Sequence, residues 1–184
     1  MSSKSISEQY GLTAQRYHWI SAVLIVAMIP LGFLMQNVES EATKLLLYRG
    51  HALIGALILI ITIARIVWRR KDINPEPPKE LHGLHLKAFN AIHALLYVLI
   101  FVLTLSGVGS VVISGLGDIL SGASTSPIPA DLSEFAPRQA HGIAAKIYIA
   151  LLVGHIGGVV FHQITKSDVL SRMGINYFKA KQSA

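Results

Sequence analysis

Residues 138–162 read RQAHGIAAKIYIALLVGHIGGVVFH, an apolar stretch interrupted by His141, His155 and His162. A run of this length with so few charges is a membrane-helix candidate. His141 and His155 are 14 positions apart (155 − 141). On an α-helix that spacing is a rise of roughly 21 Å and a rotation within about 40° of four turns, so both imidazoles leave one face. One then falls near each side of a hydrocarbon core about 30 Å thick. Ionisable groups at membrane depth are costly and mark function, and imidazole suits iron, copper, zinc or haem. Histidines at the same two depths in other segments would complete ligand pairs.

The whole chain has 184 residues, of which 52% are hydrophobic, and its mean hydropathy is +0.53. It is too apolar for an ordinary soluble domain and too short for two independent ones, so residues 1–184 are expected to form a single integral membrane domain. The absence of cysteine excludes c-type haem attachment, thiolate-bound iron–sulfur clusters and Cys-based zinc sites. The net charge of +6 is concentrated beside apolar segments, which points to membrane topology rather than to a nucleic-acid partner.

Four spans are expected, at about 18–36, 45–68, 87–113 and 138–163. The first, with Trp19 at an interface and Pro30 inside it, lacks the A-x-A-like cleavage site of a signal peptide. The segment before it, Met1 to Tyr17, reads as poorly ordered. Arg69-Arg70-Lys71 and the link Asn74-Pro75-Glu76-Pro77-Pro78-Lys79 end the second span. His82 and His85 are placed in that link, solvated. Ser114 to Ala136 reads as a polar loop, Pro137 opens the fourth span, and a tail carrying Lys166, Arg172, Lys179 and Lys181 includes a short interfacial helix around Val169 to Phe178. Lys and Arg predominate in the termini and the second link, so both termini are expected in the cytoplasm.

With that orientation, His51 and His141 share the outer level, and His18, His93 and His155 share the inner one. Five histidines at matched depths in four helices would each otherwise need a polar partner in hydrocarbon. The simplest architecture is an all-α, four-transmembrane-helix bundle holding two stacked b-type haems, each between two imidazoles. A di-metal carboxylate site is excluded, because no Asp or Glu lies inside a span. Arg65, also 14 positions from His51 (65 − 51), either pairs an inner haem propionate or snorkels to the interface. Gly107 and Gly109 allow close approach of a helix or macrocycle.

Arg16-Tyr17-His18-Trp19, Gly50-His51 with Gly55 and Arg65, the Pro75 to Pro78 link, His93 followed by Tyr97, and His141, His155 and His162 together resemble the bacterial diheme cytochrome b561 family. The likeness runs from about Gln15 to Met173 and is nearest in pattern to the superoxide-oxidising members. It implies His51 with His141 on the outer haem and His18 with His155 on the inner haem, and it places His93 and His162 at a ubiquinone site. As alternatives, His93 is a packed residue or the inner ligand itself, and His162 an interfacial histidine. The implied activity is that of a transmembrane oxidoreductase, taking electrons from periplasmic superoxide and reducing ubiquinone. The outer loops lean acidic, with Glu39, Glu41, Asp118, Asp131 and Glu134 against Lys44, Arg49 and Arg138, and near the outer haem ligands only Arg49, Arg138 and Lys146 are placed to attract an anion. That departure keeps a second reading open, a cytochrome b subunit that anchors and exchanges electrons with a periplasmic redox protein such as a hydrogenase-type partner. A haemless transporter or structural protein would require the histidines to be accidental.

Overall fold

The computed structural model describes residues 2–77, 82–129, 131–165 and 169–176. The described residues form helices α1 (Leu12–Asn37), α2 (Glu41–Lys71), α3 (Gly83–Ile113), α4 (Leu116–Ser121) and α5 (Ala136–Thr165), and a 3₁₀ turn over Ser171–Met173. All but α4 are long and apolar enough to cross a membrane. In hydrocarbon a helix satisfies its own backbone, and helices of 26, 31, 31 and 30 residues span about 39–46 Å, more than the apolar core. Their ends therefore reach the headgroup region.

The solvent pattern is inverted, as lipid requires. Val23, Leu46, Leu105 and Ile164 are 67–76% exposed, while Ser21, Thr62 and Ser110 are buried at 5%, 2% and 9%. Local signals set the ends of α2. Ser40 precedes it, its hydroxyl accepting from the Thr43 N–H and its carbonyl from Lys44, with Glu41 in the first turn and Arg69, Arg70 and Lys71 in the last.

The chain divides into two compact units. One holds both termini, comprising Met1–Ile20, Thr62–Tyr97 and Ile149–Ala184; the other comprises Ser21–Ile61 and Val98–Tyr148. We call them the terminal unit and the loop unit.

In the terminal unit the expectation of a disordered N-terminus is corrected. The helix begins at Leu12, and the preceding residues are tied down. The Ser5 N–H and hydroxyl donate to the Asp72 carboxylate at 3.0 and 2.6 Å, joined by Trp68 Nε1–H at 3.1 Å. The Glu76 N–H donates to the Ser7 carbonyl and the Tyr10 N–H to that of Arg172, while Trp19 Nε1–H reaches the Met173 carbonyl at 2.9 Å. Among the described residues the expected interfacial helix is only the 3₁₀ turn Ser171–Met173. Its far end at Phe178, the basic residues Lys166, Lys179 and Lys181, and Pro78 and Lys79 of the link lie outside the described residues. His85 belongs to the first turn of α3 rather than to the link, and it is exposed, like His82.

In the loop unit, Ser114 to Ala136 is more than a polar connection. Gly115 and Gly122, at φ 71° and 86°, bracket α4 in the left-handed conformation that glycine tolerates. Leu116 and Ile119 of α4 pack with Ile128 and Leu132 into a small buried cluster, flanked by Leu45, Tyr48, Val111 and Phe135. Arg49 fastens it by donating from Nε to the Leu120 carbonyl at 2.8 Å. Four apolar residues spread among serines, glycines and prolines hide this core from a reading of periodicity.

Candidate haem sites

In the loop unit, α2 and α5 bring His51 and His141 together with ring centroids 6.0 Å apart and planes at 62°. Two imidazoles that grip one ion from opposite sides, each at about 2 Å, have centroids roughly 6 Å apart. The pair thus has the separation of axial ligands. Small residues line the rings. A Cβ at Gly32 would stand 3.6 Å from His51 Cε1, and one at Gly107 would stand 3.5 Å from His141 Nδ1.

The hydrogen bonds of the two rings differ. His141 Nδ1 lies 2.8 Å from the Leu103 carbonyl and 3.3 Å from Ser106 Oγ. A carbonyl only accepts, so the proton is on Nδ1 and Nε2 keeps its lone pair. His51 Nδ1 is buried and has no partner among the described residues. Arg138 stands one turn before His141, its Nη1 3.4 Å from where a Cβ on Gly142 would be.

The terminal unit gathers His18, His93 and His155 from α1, α3 and α5. His18 and His155 have centroids 6.5 Å apart at 66°, and His93 and His155 only 5.0 Å apart at 88°. Arg65 donates from Nη2 to His18 Nδ1 at 3.1 Å, and its guanidinium lies 5.4 Å from the centre of the Tyr97 ring, a cation–π distance. His93 Nδ1–H donates to the Phe89 carbonyl at 2.6 Å. His162 lies against Phe161, at 5.5 Å between centroids, with Nδ1 buried and unpaired among the described residues.

Every histidine expected at membrane depth is therefore on a spanning helix, whereas His82 precedes α3 and His85 sits exposed in its first turn. Among the described residues no three His, Cys, Asp or Glu side chains converge as they would on a bare ion. Paired imidazoles suit a cofactor that brings its own equatorial ligands, as haem does. The rings, their spacing, the Nδ1–H of His141 held by a carbonyl and the small flanking residues all fit that group. The Leu103 carbonyl, Ser106 and Gly32 were not legible as site residues, because a backbone acceptor leaves no trace in sequence and Ser106 reads as one more small helix residue.

Four spanning helices that set imidazoles opposite one another define a class, the multi-pass membrane haem proteins. A family model described as prokaryotic cytochrome b561 matches residues 9–174, and the chain belongs to that family, which binds haem b. It is similar to cytochrome b561 homolog 2 of Escherichia coli K12, 26% identical with 94% of this chain and 95% of that protein covered. It is also similar to cytochrome b561 homolog 1 of the same organism, 27% identical over 90% and 96% of the two chains.

Proposed function

We propose that residues 1–184 act as one cytochrome b domain in the bacterial inner membrane, with both termini cytoplasmic, binding two haems b. His51 and His141 hold the one nearer the periplasm, His18 and His155 the other. Haem iron, when bound, supplies one-electron redox chemistry. The observation that carries the reading is the pair of ring separations, 6.0 and 6.5 Å.

His18 and His93 compete for the second pair, and two features disagree. The 5.0 Å between His93 and His155 is short for opposed ligands, which favours His18. Arg65 donating to His18 Nδ1 leaves the proton on Nε2, which favours His93. Ring spacing is fixed by where the helices place their backbones, whereas Arg65 is a long side chain free to turn. We therefore assign His18, with Arg65 turning to a haem propionate.

The reaction is oxidation of periplasmic superoxide coupled to reduction of ubiquinone. Two superoxide ions each lose one electron to become O₂, and the quinone gains two electrons and two cytoplasmic protons to become quinol. Arg49 and Arg138 supply local positive charge for an anion. His93, whose Nδ1–H is committed to Phe89, keeps Nε2 to accept a proton or meet a quinone hydroxyl, and His162 offers a second imidazole. Rapid mixing of the oxidised protein with superoxide should reduce the haems within a second; haems left oxidised would remove superoxide as donor.

One observation favours a different donor. Glu41, with Leu45, Ile119, Thr125, Pro127 and Ile128, lines a groove of about 350 Å³ beside α4, on a face whose loops lean acidic. A periplasmic redox protein with a basic face would suit it. Co-purification of such a protein in mild detergent, with haems indifferent to superoxide, would establish that reading.

A further inference from the structure

α3 contributes no ligand to the His51–His141 pair, yet it makes the closest polar contacts to it. The Leu103 carbonyl accepts from His141 Nδ1–H at 2.8 Å, and Ser106 Oγ lies 3.3 Å from the same nitrogen. The Ser106 hydroxyl proton is already committed, pointing back along its helix to the Val102 carbonyl at 2.6 Å. Its oxygen therefore faces His141 as an acceptor. Gly107, one residue on, borders the same ring: a Cβ there would meet Cε1 and Nδ1 at 3.5 Å, an ordinary contact. On the opposite ring, the buried His51 Nδ1 has no partner among the described residues.

From this asymmetry we infer that Ser106 and the Leu103 carbonyl are positioning groups that set the redox poise of one haem by acting on one of its two ligands. The inference rests on the proposed ligation by His51 and His141. An Nδ1–H shared between two acceptors pushes electron density onto Nε2 and makes the imidazole a stronger donor. A stronger donor stabilises ferric over ferrous iron, so the contact holds the potential of that haem down. It also locks the ring in the tautomer able to ligate, so His141 is preset while His51 adapts to it.

The test is a spectroelectrochemical titration of the purified holoprotein with Ser106→Ala and Ser106→Thr. Losing the more distant acceptor should favour reduction of one haem by about three- to tenfold, tenfold being 59 mV for a one-electron couple. The affected haem should be the one that disappears in His51→Ala, and the other should not move. Thr keeps the hydroxyl, as Thr104 does in bonding the Ile100 carbonyl from the same helix, and should restore the wild-type value. Full haem content with unmoved potentials in Ser106→Ala would overturn the inference. So would equal shifts of both haems, or a Thr variant displaced as far as Ala. A wild-type protein without haem would instead remove the ligation reading on which it stands.

Discussion

The loop unit and the terminal unit each oppose two imidazoles, but they surround them differently. His51 and His141 are bordered by Gly32, Gly107, a serine and a backbone carbonyl. His18 and His155 share their space with a third histidine, an arginine and a tyrosine. The first arrangement fixes a ligand and leaves little to exchange protons. The second keeps side chains that can hold a proton or a negative group, as two-electron, two-proton chemistry requires. On the proposed function, one ligand geometry would serve electron transfer alone in one place and proton-coupled transfer in the other.

Removing the proposed ligands should give the largest effects. His51→Ala and His141→Ala should each abolish one of two haems, halving the pyridine haemochrome absorbance per polypeptide. The same measurement on the terminal unit should separate its three histidines. His18→Ala should lose the other haem, while His93→Ala should keep both and slow quinol formation at least tenfold. Equal haem loss in both variants would erase the proposed division of labour. Arg65→Leu should act more gently, removing a cation from beside the His18–His155 haem and disfavouring its reduction by roughly 1–2 kcal/mol at protein-like dielectric. A lowered potential for that haem alone is the expected readout.

An effect confined to stability belongs to the clasp on the N-terminal segment. Burial of the Asp72 carboxyl would raise its pKa, but hydrogen bonds from Ser5, with those from Ile73 and Trp68, outweigh it and hold the group below its ordinary 3.8. A lowered folded pKa stabilises above the unfolded value, so the clasp is at full strength above pH 3.8 and weakens as acid takes the pH lower. Asp72→Ala should cost about 1–2 kcal/mol. It should expose residues 2–11 to protease at neutral pH without altering haem content.

Much of this architecture was legible because membrane helices are long and their histidines conspicuous. The four spans and the placing of His18, His51, His93, His141 and His155 at membrane depth follow from apolar length and helix spacing, whereas the choice of four of them as ligands came only from the family resemblance. Span ends were placed short, α2 running to Glu41 and Lys71, because helices continue into the interface where polar residues are tolerated. The Ser5–Asp72 clasp was hidden, as its partners lie 67 residues apart in sequence. The cluster around Leu116 and Ile128 was hidden by its scatter. The contact of His141 with the Leu103 carbonyl depends on how α3 and α5 meet, which side-chain patterns do not encode.

The central claim is that four of these histidines hold two haems, and the haem-to-polypeptide ratio of the detergent-purified protein tests it most directly. Two haems b per chain is the predicted result. A ratio of one, or none, would contradict it.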